Sequence, residues 1–186
     1  MSDPQRKLLK ALIVGKPNVG KSTLTNFLVG EKISIVSRKA QTTQKNTTGV
    51  ITKNDSQLIF FDTPGLNKVE KNIRISETFK AVAEDVDVLI YMVDNRKSSQ
   101  SIDAHFSNWY NKKVSGFRKK ILIVNKIDSI EKLKLFEITK KINEVINFDE
   151  TFFISLSKKS GTETLIRWLD KQAYYNEWIF SENHKN

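Results

Sequence analysis

Short apolar runs and stretches of helical period alternate along the chain. LLKALIVG (Leu8–Gly15) is nearly continuous in apolar residues, and KSTLTNFLVG (Lys21–Gly30) places Leu24, Phe27 and Leu28 on one helical face. TGVITK and SQLIFFDT flank the polar stretch Asn54–Ser56, which predicts a hairpin. VDVLIYMVD, KKILIVNK and ETFFISLS read as three more strands, apolar enough to be covered on both faces. Helical spacing is predicted over Ser76–Glu84, Asp103–Lys112, Glu131–Asn147 and Gly161–Phe180. Strand and helix in this alternation predict a three-layer α/β domain: a six-stranded, mostly parallel sheet, one antiparallel edge strand and about five helices. Residues 1–7 read as a tail, 8–180 as the domain and 181–186 as a frayed end.

The chain has 186 residues, enough for one domain with a core of its own. It has no apolar run of about 18 residues and no secretory leader, so a cytoplasmic location is expected. With no cysteine, neither disulfides nor thiolate metal sites are available. The formal charge of +10 fits a polyanionic partner, yet dense basic stretches such as NKKVSGFRKK (Asn111–Lys120) also fit solvated loops.

Candidate chemistry lies where strands should end. GKPNVGKS (Gly15–Ser22) matches G-x-x-x-x-G-K-[ST] between a predicted strand and helix, which makes the domain a P-loop NTPase. Gly15 and Gly20 let the backbone curl close to phosphate. Lys21 supplies a cation for the β- and γ-phosphates, and the Ser22 hydroxyl is a hard oxygen ligand for Mg²⁺. Lys16, Pro17, Asn18, Val19 and Thr23 complete the phosphate contacts, aided by the helix dipole. The base is chosen by NKID (Asn125–Asp128). The Asp128 carboxylate can accept from guanine N1 and N2, whereas adenine leaves it unpaired. Asn125 bridges base and loop, and the Lys126 stem covers one ring face. Ser155, Leu156 and Ser157 either complete the base pocket or form a Ser-rich helix entry. In FFDTPG (Phe60–Gly65), Asp62 is placed to hold Mg²⁺ through water and the Gly65 amide to sense the γ-phosphate, with Thr63 and Pro64 between.

These motifs in this order, and above all KISIVSRKAQTT (Lys32–Thr43), resemble the Era family of bacterial GTPases, over about residues 8–175. The resemblance implies slow, Mg²⁺-dependent hydrolysis of GTP to GDP, with Lys21, Thr43 and Gly65 as catalytic residues and Ser22, Thr43 and Asp62 around Mg²⁺. Thr42 and Thr43 would lie in one switch, and about Pro64–Ile75 in a second. Asn18 is a further candidate, for K⁺. The implied partners are the small ribosomal subunit and 16S rRNA, reached through a KH domain, with peripheral contact to the inner membrane face and a monomeric isolated domain as associated expectations. No G-x-x-G follows Gly161, so the chain is expected to be the GTPase part of a longer protein; the alternative is a short, solitary GTPase whose terminal aromatics (Trp178, Phe180) pack back on the sheet. Three positions depart from familiar patterns. Leu66 stands where Ras-like enzymes have a water-orienting Gln, Gln44 replaces the usual Arg, and Leu156 replaces the usual Ala. Leu66 leaves open an alternative, a GTP-dependent binding module with negligible hydrolysis.

Overall fold

A computed structural model describes residues 6–31, 47–62, 77–97, 100–112 and 116–180. The order is β1 (Lys7–Val14), α1 (Lys21–Glu31), β2 (Thr47–Lys53), β3 (Ser56–Asp62), α2 (Glu77–Glu84), β4 (Val88–Val93), α3 (Ala104–Lys112), β5 (Lys119–Val124), α4 (Lys132–Asn143), β6 (Glu150–Phe153), α5 (Thr162–Gln172) and β7 (Tyr174–Tyr175). The main strand order is β2-β3-β1-β4-β5-β6. All neighbours on that path are parallel except the β2–β3 hairpin, which puts an antiparallel strand at one edge.

Period-two alternation divides the core. From β1, Leu9, Ala11 and Ile13 face one way, and from β4 Val88, Ile90 and Met92 join them under α1 (Leu24, Leu28) and α5 (Leu165, Leu169). Leu12 and Val14, with Leu89, Tyr91 and Val93, face the other way under α2 (Phe79, Ala83), α3 (Phe106) and α4 (Ile138, Ile142). Each fully buried Val, Leu, Ile, Phe or Met side chain among them contributes about 1.5–3 kcal/mol. Helices on both faces are what make continuous apolar strands such as VLIYMV stable. The expected three-layer fold is therefore present.

Two helix ends differ from the spacing-based expectation. The fourth helix stops at Asn143, whose side-chain Oδ1 accepts from the Phe148 amide at 3.0 Å and turns the chain toward β6. The last stops at Gln172 rather than Phe180. Beyond Ala173, Tyr174 and Tyr175 pair antiparallel with Leu8 and Lys7, adding a seventh strand that the apolar pattern did not predict. The cause lies in β1. Its partner β4 begins opposite Ala11, so the first residues of β1 offer backbone groups that the returning tail satisfies.

Candidate functional site

The sequence motifs that fall among the described residues converge at the carboxyl ends of β1, β5 and β6, as expected for an open α/β sheet. The phosphate loop leaves β1 at Gly15, which has φ +152°, and a Cβ there would stand 2.3 Å from the Met92 carbonyl oxygen. At Gly20 (φ +108°) a Cβ would meet the Asn125 side-chain nitrogen at 2.5 Å. Both glycines are thus demanded by close approach of backbone to neighbouring strand ends. The Gly20 carbonyl accepts from the Leu24 amide at 2.8 Å, starting α1 directly behind the loop. Lys21 is buried, and its ammonium donates to the carbonyls of Gly15 (2.8 Å) and Lys16 (3.0 Å), spanning the loop from the inside.

The loop after β5 is wired to the same cradle. Asn125, 3% exposed, donates from Nδ2 to the Val19 carbonyl (3.0 Å) and accepts at Oδ1 from the Leu156 amide (3.4 Å). One amide side chain therefore joins the phosphate loop, β5 and the segment after β6. Lys126 sits in the left-handed region (φ 61°, ψ 37°), and the chain then makes a 3-10 turn over Ile127–Ser129 that carries Asp128. Buried Ser155 donates to the Asp128 carboxylate at 2.5 Å, and that bond, opposed by desolvation and aided by the charge of Lys158, holds the carboxyl below the usual carboxylate range. Asp128 is thereby an ionised acceptor fixed in direction.

Between these loops lies a cavity of about 640 Å³, within the ordinary range for a bound small molecule. Pro17, Asn18, Gly20, Lys21, Ser22 and Thr23 line one end, and Asn125, Lys126, Asp128, Leu156 and Ser157 the other. Gly15, Lys16, Val19 and Ser155 stand behind this lining. The Lys16 ammonium turns away to Ser101 Oγ (2.8 Å), and Val19 is fully buried. Leu156, substituted for the usual Ala, is 9% exposed and packs into the core while its amide serves Asn125. Asp62 ends β3 in register with Ile13, so its backbone reaches the level of the phosphate loop. Its side chain lies outside the described residues, as do Thr42, Thr43, Gln44, Thr63, Pro64, Gly65 and Leu66.

Two groups were not anticipated from sequence. Ser129 also lines the cavity and donates to the Lys126 carbonyl at 3.0 Å. Asp94, at the end of β4, is fully buried and accepts from both Arg96 and Lys126. The only signal for Asp94 was a carboxylate directly after an apolar strand, a pattern shared with many strand ends.

A family model described as 50S ribosome-binding GTPase matches residues 10–126. GTPase Era of Agrobacterium fabrum is 36% identical, covering 97% of this chain and 56% of the relative. GTPase Era of Bordetella pertussis is 38% identical over 89% of this chain and 56% of its own length. GTP-binding protein ERG of Arabidopsis thaliana is 35% identical, over 95% and 43%. The chain thus spans about half the length of the curated relatives it matches. Among solved structures, Era in complex with MgGDPNP and a segment of 16S ribosomal RNA superposes with a TM-score of 0.70, at 32% identity over 96% of this chain and 61% of that one. A variant of Aquifex aeolicus Era bound to GDP and AlF4⁻ gives 0.69, also at 32% identity, over 95% and 60%.

Proposed function

The chain belongs to the 50S ribosome-binding GTPase family, and from that premise we propose that it is a GTP-hydrolysing switch of the Era type acting in small-subunit assembly through 16S rRNA. The observation that carries the choice of nucleotide is the Ser155-held Asp128 carboxylate, facing the same cavity as Lys21 and the phosphate loop. A charged acceptor paired to guanine N1 and N2 contributes about 1.5–3 kcal/mol per bond. An adenine there does not offer the carboxylate guanine's paired N1 and N2 donors.

In the proposed reaction, Lys21 releases the loop carbonyls and moves onto the β- and γ-phosphate oxygens, where its charge counts most as the γ-phosphoryl departs. Ser22, Thr43 and Asp62 are the proposed holders of Mg²⁺, and Ser22 lines the cavity as that role requires. Mg²⁺ supplies neutralisation of charge on the phosphate oxygens. Gly65 and Thr43 belong to the segments that would close on the γ-phosphate. With Leu66 after Gly65, no side-chain amide stands at that position to orient water, so intrinsic turnover should be slow. K⁺ at the Asn18 carboxamide would compensate in part; equal turnover in KCl and NaCl at matched ionic strength would remove that element. The domain is proposed to be cytoplasmic and monomeric by itself, and any membrane contact to be peripheral. No described helix is long and apolar enough to cross a membrane.

The test is turnover of Asp128→Asn with GTP and xanthosine triphosphate. Replacing acceptor by donor should lower kcat/KM for GTP by 100-fold or more (roughly 3 kcal/mol, about two charged bonds) and raise it for the xanthine nucleotide. Equal uptake of ATP and GTP by the unaltered protein would overturn the reading.

A further inference from the structure

We propose that Asp94 is a positioning residue for the bound nucleotide: one buried carboxylate clamps the base-reading loop to the phosphate loop through Lys126 and Arg96. The inference rests on the GTP-binding reading above and adds to it a residue outside the nucleotide motifs.

Asp94 is the one fully buried carboxylate among the described residues. Burying a charge costs several kcal/mol unless it is paired and hydrogen-bonded, so its surroundings must answer it. They do so completely. Its Oδ2 receives the Lys126 ammonium at 2.7 Å and the Arg96 Nε at 2.9 Å, and its Oδ1 receives the Arg96 backbone amide and Nε, both at 3.1 Å. Each cation then uses a second donor on the phosphate loop. Arg96 Nη2 reaches the Pro17 carbonyl at 2.8 Å, and the Lys126 ammonium reaches the Asn18 carbonyl at 3.2 Å. Three segments distant in sequence are joined through a single side chain.

The consequence follows from peptide geometry. In a planar trans peptide the C=O and the following N–H point to opposite sides. Pinning the Pro17 carbonyl to Arg96 therefore turns the Asn18 N–H away from the clamp, and pinning the Asn18 carbonyl to Lys126 does the same for the Val19 N–H. Asn18 is in the left-handed region (φ 62°), which asparagine adopts more readily than other non-glycine side chains. The clamp's two hydrogen bonds flank this residue, at the Pro17 and Asn18 carbonyls. At its other end, Asp94 holds the Lys126 side chain along the cavity wall, where its stem becomes a platform for the base. Phosphate grip and base recognition thus share one anchor, and loosening it should loosen both.

The test measures fluorescent GDP binding and GTP turnover for Asp94→Asn, Lys126→Ala, the double variant and Arg96→Gln, with circular dichroism and the thermal midpoint of the nucleotide-free proteins as controls. Asp94→Asn should weaken GDP and GTP alike by about tenfold or more, with kcat at saturating GTP within about threefold of the unaltered value. Because Asp94 acts through Lys126, the double variant should lose clearly less than the product of the two single losses. Arg96→Gln removes one arm, leaves the Lys126 arm in place, and should weaken binding by a smaller factor without lowering the nucleotide-free midpoint. Unchanged GDP affinity in Asp94→Asn, or multiplicative losses accompanied by a fallen nucleotide-free midpoint, would overturn the clamp and leave a merely structural carboxylate. Failure of the unaltered protein to prefer GDP over ADP would instead sink the GTPase reading, and the clamp with it.

Discussion

Asp128 and Ser155 illustrate what a single residue carries and what its neighbour adds. The proposed acceptor role of Asp128 was legible in four letters, because guanine's donor edge needs a carboxylate. That Ser155 fixes its direction at 2.5 Å was not, since the serine is 27 positions away and its stretch read equally well as a helix entry. Ser155's hydrogen bond lowers the carboxyl's pKa in the folded protein. For a depressed carboxylate the charged form persists above the ordinary value and is lost only as pH falls through the lowered one. GDP affinity should therefore show no loss assignable to Asp128 between about pH 5 and 8, and fluorescent GDP titrations across that window check it. Ser155→Ala should weaken GDP binding and move the acid limb upward, toward the ordinary carboxylate range. A midpoint near pH 6 in the unaltered protein would contradict this account. Asp94 is the opposite case. Its short-range pattern does not distinguish it, because its meaning comes from Lys126, delivered by another segment, and from the phosphate-loop carbonyls that Lys126 and the nearby Arg96 both reach.

Among the elements, the apolar period located all five described helices but misjudged where the last one stops. Its aromatic continuation, YYNEWIF, can serve a helix or a folded-back tail, and β1 and β3 decide between them. Gln57, fully buried in β3, accepts at Oε1 from the amides of Ile179 and Phe180 (3.1 Å each) and donates to the Phe180 carbonyl (3.0 Å). The Trp178 indole donates to the Lys7 carbonyl at 3.0 Å, tying the tail to the start of β1. Gln57→Ala leaves those tail groups without their buried partner, at about 1–3 kcal/mol in total. The expected result is a lowered thermal midpoint and new proteolytic cleavage after Tyr175, with GDP affinity retained. Unchanged resistance to protease would show that the tail is held by its aromatic packing alone.

For the molecule as a whole, ligand linkage gives a readout independent of catalysis. A nucleotide held in the proposed cavity, between loops from three strand ends, binds only the folded chain, so 100 Kd of free GDP should stabilise it by about 2.7 kcal/mol. In a domain of this size that raises the thermal midpoint by roughly 5–10 °C. ADP at the same concentration should give almost no shift, and differential scanning fluorimetry checks both. Apolar period and short motifs are local properties of the chain, so they were enough to read the layered fold, the phosphate-loop motif and Asp128 as the proposed reader of guanine. Only the tertiary structure decided that Ser155 orients Asp128, that Asp94 gathers Arg96 and Lys126 onto the phosphate loop, and that the terminal aromatics return to β1. Each of those depends on burial and on partners far apart in sequence, and a buried polar group acquires its role from what the fold brings within hydrogen-bonding distance of it.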